Sequence, residues 1–211
     1  METKATYKDG KEHGPWVDYF SDNKQLRRKG NYKEGKKHGH WISYYKNGQL
    51  RRKGKYKDGK EHGPTVGYWD NGQLYDKGTY QNGMKMDDPW TKYYKNGQLR
   101  RKENYKDGKE HGPTVGYWKN GKLYYEGTYK NGEKDGPWIQ YWDNGQLMEK
   151  GSYKNGKKVD GLWVYYWENK QLGYKGNYKD GNRDGPWVGY TRDGTVWKKY
   201  TGTFKGGVKM K

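Results

Sequence analysis

The chain has no cysteine in its 211 residues, so it can hold no disulfide and no thiolate nucleophile or metal ligand. It has two phenylalanines, and hydrophobic residues make up only 29% of it, too little Leu, Ile and Val for an ordinary globular core. No apolar run approaches the roughly 18 residues of a membrane-spanning helix. The first ten residues lack the apolar stretch of a secretory signal, which favours a cytoplasmic location. Low hydrophobicity with a net charge of +19 is a signature of disorder. Against that stand 11 Trp and 24 Tyr, which supply buried area by another route.

Those aromatics recur with a period. Tyr7, Tyr32, Tyr56, Tyr80, Tyr105, Tyr129, Tyr153 and Tyr178 each precede a turn such as Asp9-Gly10, Asp58-Gly59 or Asn131-Gly132. An aromatic strand, a turn that is Asn-Gly in five of the eight copies, and a Leu follow each, from Leu26 to Leu172, with Val196 in the last copy. Segments 44–69 and 93–118 differ only at Gly54/Glu103 and Lys55/Asn104, the mark of a duplicated pair of repeats. The expected architecture is all-β: an elongated, curved antiparallel sheet of about eight tandem hairpins, one array over residues 1–211 with a C-terminal cap at about 195–211.

The turn chemistry suggests a register. Asn47-Gly48 tolerates positive φ at both positions and reads as a type I′ turn. Tyr45 then faces Leu50, Tyr44 faces Arg51, Ser43 faces Arg52, Ile42 faces Lys53 and Trp41 faces Gly54. Strand alternation puts Trp41, Tyr45, Leu50, Gly54 and Tyr56 on one face and Ile42, Tyr44, Arg51, Lys53 and Lys55 on the other. A Gly opposite Trp leaves room for the indole to lie over bare backbone. Where Thr65 and Thr114 replace Trp, Trp69 and Trp118 enlarge the next aromatic position, which reads as compensation of volume. The Trp face is the expected core. A single layer must curl, or pair with a second copy, to cover it.

Residues 136–157, Gly-Pro-Trp-Ile-Gln-Tyr-Trp-Asp-Asn-Gly-Gln-Leu-Met-Glu-Lys-Gly-Ser-Tyr-Lys-Asn-Gly-Lys, resemble the MORN-repeat variant of bacterial proteins. The likeness runs from about Tyr7 to Gly194 and departs at both ends, which look like caps. It implies an elongated antiparallel sheet that serves as a protein-binding or dimerising scaffold, with phospholipid contact proposed for some members. Many bacterial members carry the label of antitoxin, and that role is implied here by resemblance alone.

Chemistry is harder to find. His13, His38, His62 and His111 share a column with Asp87, Asp135, Asp160 and Asp184. Neighbours in that column stand about 9.6 Å apart, two strands, too far to share one zinc. They read as polar turn residues. Every polar residue recurs in its column, no nucleophile, base and acid stand out, and no phosphate-binding or dinucleotide motif is present. The expectation is a protein without enzymatic activity, metal or cofactor.

The second face carries the binding expectation. Tyr19, Tyr44, Tyr68, Tyr93 and Tyr117 run along it, flanked by Arg27 and Lys29, Arg51 and Lys53, and Arg100 and Lys102. Aromatic and cationic side chains together suit a protein with an acidic surface, where Tyr and Arg anchor interfaces. They also suit single-stranded nucleic acid and, less well, an anionic membrane. Self-association through the aromatic face is a further possibility. Residues 1–105 hold more of the net positive charge than residues 106–211, so an acidic partner should favour the N-terminal half. Inhibitors of nucleases are expected to be acidic, so a basic inhibitor suits a different target.

Overall fold

The structure is a computed structural model that describes residues 2–86 and 89–211. Among the described residues there is no helix, and every strand pairing is antiparallel. The backbone groups into two units, Met1–Lys109 and Glu110–Lys211, both made of the same repeat.

In the first unit, strands Thr3–Lys8, Lys11–Tyr19, Leu26–Lys33, Lys36–Tyr44 and Leu50–Lys57 pair in sequence order. The ladder continues through Gly63–Tyr68, Leu74–Gln81, Trp90–Tyr93 and Leu99–Glu103. In the second unit the strands from Gly112–Tyr117 to Asn182–Gly189 pair in sequence order, and Gly202–Lys205 pairs with the last of them. Two-residue turns with positive φ at both positions do occur, but at the opposite end of the hairpins from Asn47-Gly48. Asp58 (φ 51°) and Gly59 (φ 83°) make one between paired Lys57 and Lys60.

The Asn-Gly turn is built differently. Gly48 alone has positive φ, at 80°; its N–H donates to the Tyr45 carbonyl, and the Tyr45 N–H donates to the Gln49 carbonyl. This three-residue loop pairs Tyr44 with Leu50, one position away from the register that a type I′ turn imposes. A bulge then restores the expected register, with Ser43 opposite Arg52, Ile42 opposite Lys53 and Trp41 opposite Gly54. Asn is needed here for its side chain. Asn47 Oδ1 accepts from the Gln49 N–H, and Nδ2 donates to Asp70 O in the next repeat's turn. Asn71, Asn120, Asn144 and Asn169 make the same forward bond.

The Trp face is the core. Trp41, Trp90, Trp138, Trp163 and Trp187 are buried, Trp163 to 1% exposure. Each indole lies over the glycine of the preceding repeat rather than the one opposite it in its own hairpin. A side chain on Gly30 would collide with Trp41, and one on Gly151 with Trp163. A cation from the incoming strand covers the other side of the ring. Lys37, Lys85, Lys134 and Lys158 stand 4.5, 4.5, 4.1 and 3.8 Å from the centroids of Trp41, Trp90, Trp138 and Trp163. Burial pulls Lys37 and Lys134 below the ordinary lysine range. These five Trp rings are therefore covered within the chain, while Trp16 in the first repeat is half-buried.

Thr65 and Thr114 are not compensated by the neighbouring Trp. Trp69 packs edge-on against Tyr75 at 4.6 Å and donates to the Tyr93 carbonyl. The neighbouring backbone at Gly67 is covered instead by the Arg52–Asp76 ion pair. At the C-terminal end Phe204 pairs with Gly185 as Tyr32 does with Gly14. Tyr200 stacks on Tyr174 at 4.7 Å, so the segment after residue 195 covers the last aromatic layer.

Candidate partner-binding face

Cross-strand pairs share a face, so the register alone traces rows of side chains across the sheet. One row of the first unit runs without a break through Lys4, Val17, Lys29, Ile42, Lys53, Val66, Lys77, Thr91 and Lys102. Lysines alternate with β-branched residues, and successive lysines stand about 9.6 Å apart. Lys29, Lys53, Lys77 and Lys102 are exposed. No ion pair of Lys29, Lys53 or Lys77 occurs among the described residues. The equivalent row of the second unit is Val115, Glu126, Ile139, Lys150, Val164, Lys175 and Val188, where an acid replaces one lysine.

The opposite face treats charge differently. Asp18 and Glu103, each 1% exposed, lie on the Trp side. Asp18 accepts from Arg28 at 2.7 Å, and Glu103 pairs with Arg101 and accepts from the Tyr105 hydroxyl at 2.9 Å. Burial opposes the charge on Arg52, but Asp76 and Glu61 outweigh it and hold the guanidinium above its ordinary range. On the core face the buried acids are each paired with an arginine, while the first unit's other face carries a row of lysines.

Tyr19, Tyr44, Tyr68 and Tyr93 lie half-buried one row from these lysines, paired with Leu26, Leu50, Leu74 and Leu99. Tyr117 pairs with Leu123 in the second unit. Leu50 thus joins Tyr44, not Trp41. Lys29, Lys53 and Lys102 stand where the register placed them. Arg27, Arg51 and Arg100 do not. The bulge turns Arg51 onto Tyr45, 5.9 Å from its ring centroid, and Arg100 onto Tyr94 at 5.7 Å. Arg27 stands 3.6 Å from Asp18. The arginines therefore belong to the Trp side and the lysines to the other, and the expected cluster of Tyr44, Arg51 and Lys53 is divided.

Lys4, Lys77 and the β-branched members of the row complete the face. Beside it lies a cleft of about 600 Å³ lined by His40, Lys53, Lys55, Pro64, Val66, Lys77, Thr79 and Pro89. The His/Asp column behaves as turn chemistry. His111 Nδ1 accepts from the Asn131 N–H, and Asp160 from the Asp180 N–H at 2.8 Å, each in the following turn. Asp87 lies outside the described residues.

The fold and the placement of charge define a tandem β-hairpin repeat protein with ion-paired acids buried on one face and, in the first unit, a lysine row on the other. The repeat is also recognisable as a family. The MORN repeat variant matches residues 37–58, 61–82, 89–107, 110–131, 134–155 and 159–180, and the chain belongs to that family. No curated protein is significantly similar to it.

Proposed function

We propose that the protein is a non-enzymatic scaffold that binds a protein with an acidic surface, acting as an inhibitor or adaptor. What supports the reading is the lysine row from Lys29 to Lys102, exposed and flanked by half-buried tyrosines. A rigid ladder fixes the interval between the cations, so docking has to order the lysine side chains but not the backbone that carries them. Its most specific form, an antitoxin-like inhibitor, comes from the resemblance to bacterial MORN variants.

The test is recovery of partners from native lysate, with and without nuclease, by the wild type and by a variant carrying Lys29→Glu, Lys53→Glu and Lys77→Glu. Exposed charges contribute little to stability, so the variant should fold normally. Recovery of one acidic protein that survives nuclease and is lost in the variant is the expected result. Recovery lost on nuclease treatment would replace the reading with nucleic-acid binding. Unchanged recovery by the variant would remove the lysine row from the site.

A further inference from the structure

The spacing of the row says what shape of acidic partner fits it. From Lys29 to Lys102 the lysines repeat every two strands, about 9.6 Å. The tyrosine row repeats at the same interval, about 6.6 Å away along the strands. A ligand running along the row must therefore offer a carboxylate every 9.6 Å or so on one side. A polyproline II segment turns once every three residues and rises about 3.1 Å per residue, so its residues i and i+3 share a side about 9.3 Å apart. Over three intervals the mismatch is about 1 Å. An α-helix offers i and i+7 at about 10.5 Å, which drifts by about 3 Å over the same distance. A β-strand offers i and i+2 at about 6.6 Å, out of step from the first interval.

The relief of the face agrees. The cleft from His40 to Pro89 crosses the strands rather than following them, and Lys53, Lys55 and Lys77 stand along it. Pro64, Val66 and Pro89 are its apolar lining residues. Proline-rich segments elsewhere dock against aromatic side chains, and here those are the tyrosines of the neighbouring row, since no Tyr, Trp or Phe among the described residues lines the cleft itself. Such a segment is already extended, so it loses little entropy on docking.

We infer that the first unit's cationic face takes an extended, proline-rich acidic segment of the partner, with an acidic residue at every third position, laid across the strands along the row that includes Lys29, Lys53 and Lys77. The inference rests on the reading of this face as a docking surface for an acidic protein, and it adds the conformation and the spacing of the charges.

The test uses synthetic peptides with the full-length protein. One has glutamate at every third position among prolines; a second has the same composition with its glutamates in one block. A third is an acidic helix-forming peptide. The first should bind about tenfold more tightly than either of the others. Lys53→Gln and Lys77→Gln should each weaken it several-fold, as the loss of one exposed charge pair implies. Lys150→Gln, in the second unit, should leave it unchanged. Equal binding of the spaced and block peptides, or tighter binding of the helix, overturns the inference. If that happens while the triple Glu variant still loses its acidic protein partner, the docking face stands and only the extended segment falls. If the triple variant keeps the partner, both fall.

Discussion

The side-chain amide of Asn47 donates to the carbonyl of Asp70 at 2.7 Å, fastening the turn of one repeat to the turn of the next. The same side chain accepts from the Gln49 N–H at 3.1 Å, so one residue shapes its own loop and holds its neighbour. Asn47→Asp keeps the acceptor and removes the donor. It should lower stability by about 1 kcal/mol, the net worth of a hydrogen bond, in denaturant unfolding followed by tryptophan fluorescence. An unchanged midpoint would show that the forward bond carries nothing.

Trp138 is buried on the core face, and Lys150 belongs to the row on the other side. Trp138→Ala should cost about 3–5 kcal/mol, the usual range for a large buried aromatic. Lys150→Ala should cost almost nothing. Gly151→Ala gives a sharper check, since its methyl group would run into the Trp163 indole. About 1–3 kcal/mol is expected for such overpacking. Equal, small effects of all three would reverse the assignment of faces.

Tyr153 predicts alkaline behaviour. Burial, reinforced by Glu149, Tyr178 and Tyr129, pushes its hydroxyl up from 10.0 to about 12. The folded chain keeps this proton where the unfolded chain has released it. Its contribution is therefore intact below pH 10.0 and is lost as pH rises toward 12. Lys134, drawn down from 10.5 by burial, acts in the other direction, adding stability as it loses its proton below that value. Unfolding free energy measured across the tyrosine window should fall, and Tyr153→Phe should flatten the fall. An unaltered slope in that variant would remove Tyr153 as a cause.

The division of arginine from lysine gives a paired test of binding. Arg27→Glu, Arg51→Glu and Arg100→Glu together should weaken the acidic partner less than the same changes at Lys29, Lys53 and Lys77. The arginine set should instead cost more stability, since Arg51 and Arg100 lose aromatic contacts worth about 0.5–1 kcal/mol each at exposed positions. Thermal unfolding and affinity measured on both triple variants separate the two roles. The opposite ranking in affinity would restore the arginines to the site.

Much of this architecture was legible because periodicity survives ignorance of detail. The Trp41–Gly54 and Ile42–Lys53 pairs follow from alternation and a turn at the right place. Arg51 was misplaced because a dipeptide cannot distinguish a two-residue turn from a three-residue turn corrected by a bulge; both leave Ser43 opposite Arg52. Asn-Gly suits the first by backbone preference, but the forward bond from Asn47 favours the second, and that bond depends on a residue 23 positions away. The lysines that cover the Trp rings were hidden for a similar reason. Lys134 is near Trp138 in sequence, yet nothing local says that its ammonium turns back over the ring. Glu103, the one acid in a glycine column, could be seen as an anomaly but not as a buried ion pair.

The duplicated segments 44–69 and 93–118 give the lysine ladder a further meaning. Each repeat contributes two strands, so copying one lengthens the row by about 9.6 Å and leaves the interval between its charges untouched. Within the first unit, a row made this way is a ruler with fixed graduations. Its reach can grow or shrink in whole steps without any contact inside a repeat being redesigned, and a partner matched to the interval would lose or gain grip one graduation at a time.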